Sequence, residues 1–253
     1  MSRIDSFKQA LREKRAVKII SGINNFDADK VKNVVIAAEK AGASAVDICA
    51  DREIISMVKS MTDIPIFVSS IKPQDLAMAI AMGADAIELG NYDALYKNGI
   101  SMSGSQVMSI VKETMSLINK ENIFFSVTIP GEIEISEQIA IARELETMGI
   151  DLIQTEGHYS NTNIPSGVRG LVERAELTIS NTIEISRNVE IPIMTATGIN
   201  PTTAPLAFAA GASAIGCGSC INKLESELSM IAVAKSLVEI ANKNIINIPE
   251  MVH

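Results

Sequence analysis

Short runs of β-branched and aliphatic residues alternate along the chain with longer stretches whose apolar positions recur at helical spacing. Eight short runs stand out: Val17 to Ile20, Ala45 to Cys49, Ile64 to Ser69, Ala86 to Leu89, Ile123 to Ile129, Leu152 to Thr155, Ile191 to Ala196 and Ala214 to Gly218. Between them, segments such as Asp27 to Ala41 and Ile135 to Met148 carry a 3.6-residue period, and Leu224 to Asn242 predicts a closing helix. Such alternation is the mark of a parallel sheet built from strand-helix units. Residues 1–15 read as an N-terminal amphipathic helix, 16–243 as the repeating body and 244–253 as a tail, with nothing resembling a linker.

The chain repeats itself. IPIFVSSIKPQDLAMAIAMGADAIELGN, from Ile64, runs parallel to IPIMTATGINPTTAPLAFAAGASAIGCGS, from Ile191, once one residue of slippage is allowed. Pro73 then falls on Pro201, Gly83 on Gly211, Ile87 on Ile215 and Gly90 on Gly218. Helix-ending glycines could arise by convergence, but the shared IPI and I-x-P argue for two related halves. The predicted architecture is therefore an α/β protein, a single-domain (β/α)8 TIM barrel.

Gly42, Gly83, Gly149 and Gly211 precede the four even strands by the same distance, which fixes a common frame for side-chain direction. Positions four and six after each glycine (Val46/Ile48, Ile87/Leu89, Ile153/Thr155, Ile215/Cys217) form a mostly apolar set suited to facing helices. Positions five (Asp47, Glu88, Gln154, Gly216) and seven (Cys49, Gly90, Glu156, Gly218) then face the barrel axis. That interior is more polar than the branched aliphatic filling usual for the fold.

Composition narrows the partners. Of 253 residues, 47% are hydrophobic and 21% charged, which suits an ordered globular chain. The formal charge of 22 − 30 = −8 disfavours nucleic acid or an anionic membrane as partner, so an anionic ligand must be held locally. No window approaches a membrane span, and three cysteines offer no disulfide framework, which fits a reducing, cytoplasmic compartment. Cys217 and Cys220 have C-x-x-C spacing, but no second pair completes a zinc site, and no metal is expected.

Candidate chemistry gathers at the C-terminal ends of the strands. The loops Thr197-Gly198-Ile199-Asn200 and Gly216-Cys217-Gly218-Ser219 follow strands 7 and 8, where barrels of this type present backbone N–H groups to a phosphate. Gly198, Gly218 and Ser219 are the predicted phosphate-binding residues; the alternative is that the glycines only make tight turns. Lys18, in strand 1, could act as a Schiff-base or general-acid lysine or grip an anionic substrate. Equally, it could join Asp47 and Glu88 in a structural ion-pair network. Asp47, Glu88 and Glu156 converge from strands 2, 4 and 6, as general acids and bases do in this architecture, with Glu156 nearest the rim and a turn-capping role as its alternative. Ser126, Thr128 and Gln154 are expected to orient a substrate. His158 opens a polar loop reaching Arg169 that suits a mobile cover, and stands as a secondary candidate.

The segments VKIISGINNFD, VDICA, IPIFVSSIKPQDL, GADAIELGNYD, VTIP, LIQTEG and IPIMTATGIN with GASAIGCGS resemble the hypothetical chloroplast reading frame twenty-three family over nearly the whole length. The resemblance implies a phosphate-binding-type barrel similar to those of histidine, tryptophan and thiamine biosynthesis, and a cyanobacterial cytosol or plastid stroma. It implies no particular activity. Lys18 and Ser126 stand where the sugar-phosphate isomerases of histidine synthesis have aspartates, which disfavours that reaction. The expectation is an enzyme (lyase, isomerase or condensing synthase) acting on a phosphorylated small molecule without organic cofactor; barrels of this size often pair through their outer helices, which makes a homodimer the assembly to test. The alternatives are an FMN oxidoreductase, whose cofactor phosphate the same loops would hold, and a non-catalytic metabolite sensor.

Overall fold

Strand pairing closes the sheet on itself. In the computed structural model, which describes residues 2–96, 99, 101–157 and 164–244, β1 (Ala16–Ile20), β2 (Ala45–Cys49), β3 (Ile66–Ser70), β4 (Ala86–Leu89), β5 (Phe124–Ile129), β6 (Leu152–Thr155), β7 (Ile193–Thr195) and β8 (Ala214–Cys217) pair in parallel, each with the next. β8 returns to β1 with Lys18 opposite Gly216, so no strand edge is left unpaired. The result is a single-domain eight-stranded β/α barrel. Strands 2, 4 and 6 keep the limits read from the sequence. β3 and β7 start later than expected, because Pro65 and Pro192 have no N–H to donate and serve only as acceptors, from Val46 N and Ile153 N.

Helices cover the outside: α1 (Arg3–Arg12), α2 (Ala28–Ala41), α3 (Arg52–Lys59), α4 (Pro73–Ala81), α5 (Asp93–Tyr96), α6 (Gly104–Leu117), α7 (Ile135–Thr147), α8 (Gly167–Ser186), α9 (Ala204–Ala209), α10 (Ser219–Asn222) and α11 (Glu227–Asn244). The glycines that frame the even strands sit just after α2, α4, α7 and α9 with φ from 71° to 104°. A residue with a side chain resists that left-handed conformation, so the spacing constant in the sequence is set by helix termination. Val46, Ile48, Ile87, Leu89, Ile153 and Ile215 pack outward among the helices as the frame requires. Thr155, the polar member, shares hydroxyl contacts with Thr178 (3.1 Å) and Thr182 (2.8 Å) of α8, so it faces the helix layer with its hydrogen bonds made.

Inside, the lowest layer is apolar: Ala16, Ala45, Phe67, Ala86, Phe124, Leu152, Met194 and Ala214. Phe7 of α1 closes it from below, edge-on to Phe67 (4.9 Å between ring centres) and Phe124 (5.7 Å). The N-terminal helix is thus a plug for the barrel floor. Lys18, two residues along β1 from Ala16, lies above this layer and not within it.

Candidate functional site at the C-terminal rim

Above the apolar floor the barrel turns polar. Lys18 Nζ lies 2.5 Å from Glu88 Oε2, and Ser126 Oγ donates to the same oxygen at 2.9 Å. Ser69 Oγ donates to Asp47 Oδ1, and the Lys18 ammonium stands 5.0 Å from the centre of the Phe67 ring. All of these polar side chains are completely buried. Two carboxylates share one lysine, so ionising both would leave a net negative charge out of reach of water. Burial, with Glu88 close by, accordingly pushes the Asp47 carboxyl up to about 7 despite the opposing pull of Lys18.

One amide covers this cluster. Asn91, just past β4, holds φ at 67°, a left-handed conformation that asparagine tolerates better than most residues. Its Nδ2 donates to Glu88 Oε1 (3.2 Å), Ser69 Oγ (3.2 Å) and Asp47 Oδ2 (3.5 Å). Its Oδ1 accepts from Gln154 Nε2 (3.4 Å), which also donates to Thr128 Oγ1 (3.0 Å). Gly90 lets strands 4 and 5 come this close: a Cβ there would lie 2.0 Å from Thr128 Oγ1. Gln154 Oε1 and the Tyr92 hydroxyl are buried and have no hydrogen-bond partner among the described residues.

Directly above lies a cavity of about 440 Å³. Asn91 and Gln154 form its floor, Glu156 stands on one wall, and Gly198, Gly218 and Ser219 line another. The two glycine loops are pinned from behind. The Gly198 carbonyl accepts from Asn200 Nδ2 and Thr203 Oγ1, each at 3.0 Å. Asn222 Nδ2 reaches back to the carbonyls of Ile20 (3.0 Å) and Ser21 (3.1 Å), tying the loop after β8 to the end of β1. Gly198 has φ +74°, and a Cβ there would meet the Arg174 carbonyl at 2.6 Å. Thr197, β-branched, takes φ +68°, a conformation that costs of order 1–3 kcal/mol. The extra residue that separates the two halves of the sequence repeat is absorbed in this stretch, where VSSIKP of the first half becomes TATGINP.

The expected site residues therefore fall into three groups. Glu156, Gln154, Gly198, Gly218 and Ser219 meet around the cavity. Lys18, Asp47, Glu88, Ser126 and Thr128 do not line it: they sit beneath the Asn91 and Gln154 amides. His158 lies outside the described residues, as does the start of the loop it opens. Cys49, placed on the axis by the frame, is fully buried and does not line the cavity; its Sγ donates to the carbonyl of Asn25, a lining residue, at 3.1 Å. Sequence reasoning missed Asn91, Asn222 and the β1 loop residues Ser21, Gly22 and Asn25. Only the Gly90-Asn91 pair at a strand end, a left-handed turn signal, could have pointed to the first.

These features define an eight-stranded β/α barrel with one polar-floored cavity at the C-terminal ends of its strands, where barrels of this architecture carry their sites. The chain belongs to the family described as "Protein of unknown function (DUF561)", which it matches over residues 1–247. It is 38% identical over 219 residues to "Uncharacterized protein ycf23" of Pyropia yezoensis, covering 87% of this chain and 80% of that one. It is likewise 38% identical over 231 residues to the protein of the same name in Cyanophora paradoxa, covering 91% and 93%. Among solved structures, it resembles thiamine phosphate pyrophosphorylase from Pyrococcus furiosus (TM-score 0.58, 18% identity, 92% of this chain and 98% of that one). It also resembles (S)-3-O-geranylgeranylglyceryl phosphate synthase from Thermoplasma acidophilum in complex with sn-glycerol-1-phosphate (TM-score 0.61, 16% identity, 96% and 99%). At such identities these two likenesses speak for the fold.

Proposed function

We propose that this protein is an enzyme acting on a phosphorylated small metabolite, by lyase, isomerase or condensing-synthase chemistry, at the C-terminal rim of the barrel. The observation that carries the reading is that Gly198, Gly218 and Ser219, from the loops after β7 and β8, line the same cavity as Glu156 and Gln154. A volume of about 440 Å³ falls in the range of small-molecule sites. In this reading the glycine loops and the Ser219 hydroxyl hold the phosphate, and Glu156 moves the proton. Lys18, Asp47 and Glu88 act from below as positioning residues, holding the amides of the floor. The solved structures similar in fold include a thiamine phosphate pyrophosphorylase and a glyceryl phosphate synthase, which agrees with a phosphorylated ligand. In this reading the protein works in a cytosol, or in the stroma where its gene is plastid-borne. None of the described helices is long and apolar enough to cross a membrane.

Titration of the purified protein with inorganic phosphate, followed by 31P NMR, is the direct test. Saturable binding that disappears in Gly218→Asp, which sets a carboxylate in the cradle, is expected; a protein indifferent to phosphate up to tens of millimolar, a concentration well above the affinity expected of a built site, would end the proposal. A yellow preparation would shift the reading toward flavin mononucleotide, whose phosphate suits the same loops. Light scattering during size-exclusion chromatography reads whether two copies pair.

A further inference from the structure

The buried ions fix the polarity of the cavity floor. Glu88, paired with Lys18 at 2.5 Å, can only accept hydrogen bonds, so Asn91 must turn its NH2 group down toward it. That leaves Asn91 Oδ1 facing Gln154, and only Gln154 Nε2 can answer it; reversing the Gln154 amide would set two acceptors against each other 3.4 Å apart. Thr128 Oγ1, 3.0 Å from the same Nε2, accepts the second proton. Gln154 Oε1 is therefore held toward the cavity, 1% of the residue exposed and unpartnered. A Cβ on Gly216 would meet Ile20 Cδ1 at 3.0 Å, Ala196 Cβ at 3.1 Å and this oxygen at 3.4 Å, so a side chain at that position would crowd the approach to it.

We infer that the ligand brings a hydrogen-bond donor, a hydroxyl or amino group, to Gln154 Oε1, which makes it a polyol or amino-alcohol phosphate and not an alkyl or purely carbonyl one. This rests on the reading of the glycine loops as a phosphate cradle. Gly216, in β8, and Gly218, just past its end, are two residues apart, roughly 6.5 Å at about 3.3 Å per residue of extended chain. The donor thus lies on the third to fifth carbon of a chain whose phosphate sits at Gly218 and Ser219. An acceptor left empty in a buried site penalises a ligand that cannot fill it, which is how a site rejects the analogue lacking a hydroxyl.

Matched probes test the inference: glycerol 1-phosphate against propyl phosphate, and ribitol 5-phosphate against pentyl phosphate, by competition with inorganic phosphate. At least one polyol phosphate is expected to bind about tenfold more tightly than its alkyl partner, the ratio that about 1.4 kcal/mol supplies. In Gln154→Met the ratio should fall toward one. Gly216→Ala should lower it too while leaving the amide network in place, which guards against a Gln154 variant that fails to fold. Equal affinity for both members of both pairs overturns the inference, as does a preference that survives Gln154→Met in a folded protein. If inorganic phosphate itself does not bind, the cradle has failed, and that result is distinct from loss of the polyol preference.

Discussion

Lys18 Nζ and Glu88 Oε2 are 2.5 Å apart with both side chains wholly buried, inside a barrel where the Ser69 and Ser126 hydroxyls and a second carboxylate, Asp47, are buried with them. The pair joins β1 to β4 across the lumen and orients Asn91, and through it the floor of the cavity.

Breaking the pair from one side strands a buried charge. Lys18→Met is expected to cost about 3–5 kcal/mol of stability. In Lys18→Met/Glu88→Gln part of that loss should return, because the remaining amide still receives Ser126 and faces Asn91. Urea denaturation of the four-protein cycle checks it: a coupling above about 0.5 kcal/mol is expected, and strict additivity would show that the two side chains act independently.

Asp47 gives stability a pH dependence of definite sign. Its folded-state carboxyl titrates near 7, raised by burial from an ordinary 3.8, so the folded protein holds a proton that the unfolded chain has lost. The destabilising contribution is absent below the ordinary carboxylate range, grows as pH rises through 4 to 7, and is complete above 7. Asp47→Asn removes it. Melting temperatures between pH 4.5 and 8 should therefore show the variant gaining on the parent as pH rises; parallel curves would refute the shifted titration.

Phe7 is the only side chain of α1 that meets both Phe67 and Phe124 edge-on, and it is fully buried. Phe7→Ala should cost about 3–5 kcal/mol, the usual range for a large aromatic lost from a core. A loss under about 1 kcal/mol would mean that the plug is dispensable.

The cysteines should differ in reactivity. Burial, with Asp51 and Asp47 nearby, pushes the Cys49 thiol up to about 12, and burial also raises Cys217 well above the ordinary thiol value. Cys220, only partly buried, receives a hydrogen bond from Cys217 that lowers it. Since the thiolate is the nucleophile, timed alkylation with iodoacetamide read by mass spectrometry should label Cys220 first. Prior labelling of Cys49 would contradict the assignment.

Much of this was written in the order of residues. Alternating runs gave eight strands, helix-ending glycines set a frame, and the frame sorted inward from outward side chains, because a strand has period two and a helix stops where glycine enters the left-handed region. Parity placed Lys18, Asp47, Glu88 and Gln154 on the axis. Height along the axis is another matter: it depends on the stagger of strands around the ring, which no single strand contains. Only closure puts Glu156 and Gln154 at the cavity while sealing Lys18, Asp47 and Glu88 beneath it. Closure also brings Asn91, unremarkable in the sequence, across three strands onto two carboxylates, and leaves Gln154 Oε1 without a partner. Hydrogen-bond satisfaction is a property of neighbours in space, so the floor of the site was decided by the fold and its residue types by the chain.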